Sequence, residues 1–366
     1  MVSTPDRGPR TAFVRLASAA ACLALLLGGC RHQGPRTVPC DRFDYAKTIG
    51  ESSRTETLLS IVQLRYAELP TFLDVQQVVA GYNYEHTASG GVTINPQLNQ
   101  NGDTETRLGY TGRFVERPTI TYAPRTGAAF TRTMLTPIRP AILLSLIEMG
   151  WPADVLFRIA VNEINGVPNQ GAAGWKDGQA PDFERVVQLI RGAQTAGLID
   201  VNPSTLKEGV KKVKVSFREQ KHTEEELKKL ASIRELLGLE HAPGGYEVVY
   251  GARSESPNVI ALQTRSLLQV LIALATEVEV PPSHVKRGFT QSFMTAENAG
   301  APRIVRIQSG LHPPGPTAVK VQYRNTSFWI DDADFESKRV FAFVELLMQL
   351  TETTENDGPA LVISTG

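Results

Sequence analysis

The sequence predicts an α+β fold of mixed helices and mainly antiparallel strands, packed into one or two modules. The 366-residue chain is 42% hydrophobic and 21% charged, which is typical of a folded globular protein. Segments with apolar residues spaced by three or four alternate with segments of period two, so both helices and strands are expected. Glycines and prolines separate these segments. The chain is long enough to bury a hydrophobic core unaided.

The charge balance bears on the kind of partner. Lys plus Arg and Asp plus Glu number 38 each. A nucleic-acid-binding chain usually carries an excess of basic residues. We therefore expect no nucleic-acid partner.

The N-terminus carries a targeting pattern. Arg7, Arg10 and Arg15 precede the uncharged, mainly apolar run 16–27. That run is typical of a secretory signal peptide and is too short for the ~20 residues of a membrane-spanning helix. We expect residues 1–29 to be a cleaved signal peptide that precedes the folded modules.

The run ends in Leu27-Gly28-Gly29-Cys30, which resembles the lipobox of bacterial lipoproteins. An aliphatic residue three positions before the cysteine and two small residues between them fit that pattern. The resemblance implies that Cys30 becomes the first mature residue and carries diacylglycerol and further acyl chains such as palmitate. Two or three acyl chains give lasting membrane attachment. An uncleaved hydrophobic helix with a chance cysteine is the alternative.

The residue after Cys30 indicates the destination. In the lipoprotein pattern an Asp at this position tends to retain the protein in the inner membrane, and here the residue is Arg31. The resemblance therefore implies a lipid anchor in the outer membrane, on its periplasmic face. We expect residues 30–41, rich in Pro, Gly and Arg, to be a lipidated tether.

Cysteine usage leaves one thiol in the mature chain. Cys22 lies in the signal peptide and Cys30 is the lipidation site, so Cys40 remains. We expect no internal disulfide, because Cys40 has no partner in the mature chain. An intermolecular bridge is the alternative to a free thiol.

The N-terminal α+β module is predicted to cover residues 42–237. A capping box from Ser53 to Glu56 predicts the start of a helix that ends at Pro70. The polar insertion 87–106 is expected to be disordered, with an exposed hairpin tip as the alternative. The other predicted elements are strands at 72–86, 105–123 and 210–217 and helices at 126–135, 140–149, 152–164 and 182–196.

A second capping box, from Thr223 to Glu226, predicts a helix whose apolar stripe reaches Leu237. A break at 241–245 follows, and the C-terminal α+β module is predicted to cover residues 246–366. Its predicted elements are strands at 246–252, 258–263, 303–309, 318–324 and 360–364 and helices at 266–276 and 334–350.

Motifs that carry chemistry are missing from the sequence. It contains no Gly-x-Ser-x-Gly, His-Glu-x-x-His, Walker, Gly-x-Gly-x-x-Gly or Cys-x-x-Cys pattern. His222 and Glu226 have helical i,i+4 spacing, but two ligands are too few for zinc, so a helix cap is the preferred interpretation. No catalytic, cofactor-binding or metal-binding residue is assigned, and no cofactor is expected.

An acidic cluster lies at 331–336, where the sequence reads Asp-Asp-Ala-Asp-Phe-Glu. Asp332 or Asp334 is predicted to cap the C-terminal helix, because acidic residues satisfy the free N–H groups of a first turn. A calcium loop is disfavoured, because the glycine and the glutamate that such loops require at their sixth and twelfth positions are missing. A carboxylate pair for glycan cleavage is a further alternative.

Four segments of the mature chain carry a further resemblance. They are Pro118-Thr119-Ile120-Thr121-Tyr122, Leu135-Thr136-Pro137-Ile138, Gly150-Trp151-Pro152-Ala153-Asp154, and Ser327-Phe328-Trp329-Ile330-Asp331-Asp332-Ala333-Asp334 with Ser337-Lys338-Arg339. In this order they resemble blocks of a group of uncharacterised Gram-negative bacterial lipoproteins. The resemblance implies a lipoprotein with an α+β body and supplies no catalytic residues.

These observations together predict an outer-membrane-anchored periplasmic lipoprotein that acts without catalysis, as an envelope interaction or assembly component. Its expected partners are the membrane, through the N-terminal lipid, and an envelope protein or the cell wall. A cell-envelope hydrolase or a periplasmic ligand-binding protein is the alternative. A pocket lined by carboxylates of perturbed pKa would favour an enzyme, whereas an exposed apolar patch would favour a protein partner.

Replacement of Cys30 tests the anchor. Cys30→Ser removes the sulfur that accepts the lipid, so incorporation of labelled fatty acid should be lost and the protein should leave the membrane fraction. Labelling and fractionation of the two chains provide the measurement. Continued labelling of the variant would contradict the assignment.

Overall fold

The structure is a computed structural model that describes residues 34–79, 82–94, 104–116, 119–124, 127–171, 180–205, 211–218, 223–292 and 302–352. It has an α+β fold, as the sequence predicts. Backbone contacts divide the chain into two units, Met1–Ser53 and Arg54–Gly366. The predicted signal peptide, Cys30 and the predicted strand at 360–364 lie outside the described residues.

Helices occur throughout the described chain. They are α1 Gly34–Arg65, α2 Gly127–Leu135, α3 Pro140–Glu148, α4 Ala153–Ala160, α5 Asp182–Thr195, α6 Glu224–Leu237, α7 Leu267–Ala275, α8 Pro282–Lys286 and α9 Phe335–Glu352. The predicted capping box of α6 is confirmed, because Thr223 and Glu226 bond each other's backbone N–H groups. Gly238 closes the same helix in the left-handed conformation.

The strands belong to four sheets within the described residues. They are β1 Leu73–Val79, β2 Tyr82–Ile94, β3 Thr104–Glu116, β4 Thr119–Pro124, β5 Val161–Ile164, β6 Val167–Pro168, β7 Ile199–Thr205, β8 Lys211–Phe217, β9 Tyr246–Tyr250, β10 Val259–Thr264, β11 Gln308–Gly310, β12 Thr317–Tyr323 and β13 Thr326–Asp331. Apart from the parallel pair of β9 and β10, the strand pairs are antiparallel.

The first helix starts earlier than the sequence predicts. Residues 34–41, predicted as tether, and Ser53, predicted as a helix cap, all lie within α1. Pro35 is tolerated because the N–H of the first helical turn has no intrahelical partner. Lys47 and Glu51 form an i,i+4 ion pair at 3.9 Å on the exposed part of the helix. A Ser-x-x-Glu pattern therefore does not mark a start here, since the preceding residues also form helix.

The segment 73–124 contains two two-stranded sheets that follow one another along the chain. β1 pairs with β4, and β2 pairs with β3 along all 13 residues of each strand. The predicted disorder at 87–106 is wrong for 87–94 and 104–106, which are paired strand residues, while 95–103 lie outside the described residues. Cross-strand hydrogen bonds satisfy the backbone N–H and C=O groups of these residues whatever their side chains are. The polar composition alone was therefore a misleading guide.

A six-stranded sheet forms the centre of the second unit, in the order β6-β5-β10-β9-β8-β7. It takes strands from both predicted modules, so the break before Tyr246 lies inside one compact unit. The predicted helix 152–164 ends at Ala160, and its last four residues form β5 instead. Pairing of Ile164 with Leu262 of β10 outweighs the helical pattern there.

The C-terminal sheet has the order β11-β13-β12, and α9 follows it in the sequence. The inward face of α9 is apolar and buried, with Val340, Phe343, Val344 and Leu347 at most 2% exposed. Phe328 and Ile330 of β13 are fully buried in the same core. Tight packing of this kind makes the body of the second unit rigid.

No helix among the described residues combines the length and the apolar run that crossing a bilayer would require.

Candidate functional site

A group of ionisable and aromatic side chains surrounds Tyr66, directly after the last residue of α1. The Tyr66 hydroxyl lies 2.7 Å from Nδ1 of His284, and both side chains are buried. The ring of Tyr66 also contacts the rings of Tyr323 and Phe328, with centroids 5.2 and 6.2 Å apart. This cluster joins α1, α8 and the C-terminal sheet.

Arg324 covers this cluster from the outside. It occupies the two-residue turn between β12 and β13 with Asn325, and both residues have positive φ, of 47° and 62°. Such a turn matches the twist of a hairpin, but Arg is rarely found in this conformation. The guanidinium lies 4.8 Å from the ring centre of Phe289 and forms a 2.7 Å ion pair with Glu68.

The electrostatics of the cluster favour a fixed proton arrangement. Burial raises the pKa of Tyr66 to about 12, so its hydroxyl keeps its proton at neutral pH. Burial, reinforced by Arg287 and Arg324, lowers the pKa of His284, so its ring is neutral and Nδ1 can accept a hydrogen bond from the Tyr66 hydroxyl. A satisfied Tyr–His hydrogen bond beneath an ion pair stabilises packing and presents no activated nucleophile.

A partly buried carboxyl group with a perturbed pKa lies just after α7. Burial raises the pKa of Glu277 to about 7, against a smaller opposing effect of Arg303. A pKa near 7 is suited to general acid–base chemistry. However, Glu277 lines neither of the two cavities described below.

The larger cavity is a groove of about 290 Å³ beside α2, α7 and α9. Arg132, Thr133, Thr136 and Arg139 supply its polar lining, and Ile142, Leu267 and Leu347 part of its apolar lining. Its described lining includes no carboxylate. A second, smaller cavity of about 40 Å³ lies within the core among apolar side chains.

The acidic cluster at 331–334 performs the structural role that the sequence predicts. Asp334 accepts hydrogen bonds from the Ser337 backbone N–H at 3.0 Å and from its hydroxyl at 2.7 Å. Asp334 is therefore the N-cap of α9. Asp332 forms a 3.0 Å ion pair with Lys338, and Asp331 accepts the backbone N–H of Ala333. No group of three potential metal ligands occurs among the described residues.

The remaining surface feature is the pair of two-stranded sheets at 73–124, here called the arm. Among the described residues, β2 and β3 make substantial contacts only with each other, and the same holds for β1 and β4. Val79 is opposite Thr119 and Tyr82 is opposite Glu116, so the same residue count separates the pairs on both strands. The two sheets of the arm therefore keep one register.

The root of the arm is fixed to the body. Phe72 is 2% exposed and its ring packs 5.8 Å from that of Phe130. The backbone N–H of Leu73 donates a 2.7 Å hydrogen bond to Oε1 of Glu56 in α1. The root of the arm is thus attached to both α1 and α2.

Apolar side chains of the first sheet of the arm are exposed. Leu73, Val79, Ile120 and Tyr122 have between 40% and 57% of their surface accessible. The register pairs Val78 with Ile120 and Val75 with Tyr122. Neighbouring exposed apolar residues are typical of protein or membrane contact surfaces.

In the second sheet of the arm, apolar and polar residues alternate along the strands, so the two faces of the sheet differ in polarity. The pairs Tyr84 with Phe114 and Ala88 with Tyr110 fall on one face, because alternate residues of a strand share a face. The pair Glu85 with Arg113 falls on the other. Thr87, Ser89 and Thr111, which belong to the second, polar face, are exposed.

Only some of the residues that the sequence analysis singled out lie within the described part of the structure. Cys30 and His222 lie outside the described residues, and Cys40 lies in α1. The arm was missed as a site, although period-two alternation continues through 104–116. No protein-family model, curated protein or solved structure matches the chain.

Substitutions at the acidic cluster test the cap. Asp334→Ala should lower the free energy of unfolding by ~0.5–2 kcal/mol, because the first turn of α9 loses its acceptor, whereas Asp334→Asn should cost less. Asp332→Ala is the control, since an exposed ion pair contributes ~0–1 kcal/mol. Chemical denaturation measures the three values. A stable Asp334→Asn variant that loses function in the cell would instead point to an active or metal site.

The raised pKa of Glu277 predicts a pH-dependent effect. Its folded-state pKa of about 7 exceeds the ordinary value of 4.5, so its contribution to stability falls as the pH rises from 4.5 to 7. Glu277→Gln should therefore unfold like the unmodified chain at pH 4 and be more stable at pH 8, by on the order of 2 kcal/mol. Exposed Glu255→Gln should show no such difference. Equal stabilities of the Glu277 variant and the unmodified chain at pH 8 would contradict the burial.

Proposed function

We propose that this protein is a lipid-anchored component of the bacterial outer membrane, on its periplasmic face. It acts without catalysis, as an interaction or assembly component of the envelope. The observation that carries the proposal is the arm, whose long strands project from the packed body without a third strand among the described residues. The lipobox at Cys30 supports the anchor.

A two-stranded hairpin on its own is marginally stable in water and normally needs a third strand or a packed face. Each 13-residue strand of β2 and β3 is roughly 40 Å long at ~3.3 Å per residue, so its outer edge carries a long row of backbone groups. Exposed edges of this length pair readily with other chains. The arm is therefore best explained as the element that contacts a partner.

The tether and the root of the arm support an assembly role. Cys30 precedes α1 by only a few residues, and Glu56 in the second half of α1 bonds the root of the arm. The lipid fixes the position of the protein in the membrane, and the rigid body holds the arm. An assembly component requires this combination of a fixed anchor and an extended contact element.

Ligand binding is the second candidate function, and the groove beside α2, α7 and α9 favours it. Its volume of about 290 Å³ is at the lower end of small-molecule sites. Arg132 and Arg139 beside an apolar lining would suit an anionic amphiphile. Hydrolase activity has less support, because the described lining of this groove contains no carboxylate.

A photo-crosslinking amino acid in the arm tests the proposed contact. Placed at Thr87 or Thr111 of the full chain, it should form protein adducts in the intact envelope, because both positions are exposed on the arm. The matched control is the exposed Glu148 on α3, which should form few. Adducts are detected by immunoblotting and mass spectrometry. Adducts equally frequent at Glu148, or none at either arm position, would contradict the proposal.

A further inference from the structure

We infer that the arm pairs with the arm of a second copy of this chain, the outer edge of β2 in one copy adding to the outer edge of β3 in the next. This inference rests on the proposed function and names its partner. It starts from the fact that β2 and β3 have equal length and pair with no other strand among the described residues. Each copy therefore offers two edges of matching length.

A common membrane anchor selects how the edges meet. Copies in one membrane share the membrane normal, so arms that lie along this normal point in the same direction. Between arms that point the same way, β2 is antiparallel to a neighbour's β3 and parallel to its β2. The antiparallel arrangement is the slightly more stable one and continues the pairing that exists within each arm.

Charge on the polar face favours the same arrangement. On that face β2 carries Glu85, whereas β3 carries Glu105, Arg107 and Arg113, a net positive charge. Pairing β2 with β3 brings a strand with an acidic residue on this face beside a strand with a net basic one, and the register within the arm likewise places Glu85 opposite Arg113. Pairing β2 with β2 or β3 with β3 would bring like charges together, which is unfavourable between neighbouring strands.

The apolar face of β2 and β3 limits the possible registers between copies: odd-numbered residues of one arm should lie opposite odd-numbered residues of the next. Tyr84, Leu108, Tyr110 and Phe114 occupy alternate positions on that face. A slip of one residue between copies would place apolar residues of one arm beside charged residues of the next. The copies should therefore pair in a register that keeps the polar faces together, and the apolar faces then form one continuous surface.

Disulfide trapping between differently tagged copies tests this pairing. All chains carry Cys40→Ser, and one carries Thr87→Cys on the polar face of β2. Its co-expressed partner carries a single cysteine in β3. The test positions are the odd ones, 107, 109, 111, 113 and 115, and the control positions are the even ones, 108, 110, 112 and 114. Adjacent antiparallel strands bring Cα atoms within disulfide reach, so a mixed-tag disulfide should form at one or two neighbouring odd positions and be lost at even ones. The pairing of Thr87→Cys with the exposed Glu255→Cys measures random collision.

Proline variants provide a second readout that does not depend on cysteine chemistry. Successive N–H groups of a strand point to opposite sides, so one of Thr87→Pro and Ala88→Pro removes an outward donor of β2. That variant should shift the detergent-solubilised full chain from oligomer to monomer in analytical ultracentrifugation. Its body should keep its thermal unfolding midpoint, because the arm makes few contacts with the body.

Two results would overturn the inference. The first is a mixed-tag disulfide yield that is no higher than with Glu255→Cys, or that is equal at odd and even positions. The second is a monomeric unmodified chain whose photo-adducts at Thr87 contain only a different envelope protein. That second result would leave the proposed contact function standing, whereas adducts with lipid alone would remove both.

Discussion

Unpaired backbone groups at strand edges are the constraint on which this architecture depends. The edges of the central sheet are blunted, since β6 has only two residues and ends in Pro168, and β7 carries Pro203. Proline at an edge removes a donor and discourages further pairing. The edge strand β11 has three residues. The arm contrasts with these edges, because its strands of 13 residues contain no proline.

The body of the second unit is built to hold the root of the arm in place. The Tyr66–His284 hydrogen bond ties the end of α1 to α8, and the Arg324–Glu68 ion pair ties it to the C-terminal sheet. The same segment leads within a few residues to the buried Phe72. Because these interactions are satisfied among themselves, we interpret the cluster as a structural support for the arm and not as a reaction centre.

Sequence patterns correctly predicted the elements that are determined by interactions between residues close in sequence. The capping box at Thr223 and Glu226, the apolar stripe of α9 and the acidic cap at Asp334 depend on residues close in sequence. The α+β class followed from the same periodicities. Elements that depend on distant partners were missed. β5 forms because β10 is beside it, and the polar half of β2 is a strand because β3 pairs with it.

The candidate site shows the same division. The two faces of the arm could be predicted in part from the alternation in 104–116. Its interpretation as a contact element depends on the few contacts that β2 and β3 make with other described elements, which only the structure reveals. Lipidation at Cys30 and the location in the envelope remain predictions from the sequence pattern. The arm and the proposed anchor fit one proposed role, because strand edges that pair with no other described strand offer backbone groups to a neighbouring chain.

Amide hydrogen exchange at single-residue resolution tests the central claim most directly. In an isolated two-stranded arm, alternate amides of 82–94 and 104–116 point outward and exchange without protection. The lipidated full chain in membranes is compared with the same chain diluted in detergent, with the amides of α5 as the internal reference. The account predicts that the outward amides become protected in the membrane and lose that protection on dilution. Fast exchange of the outward amides under both conditions would contradict it.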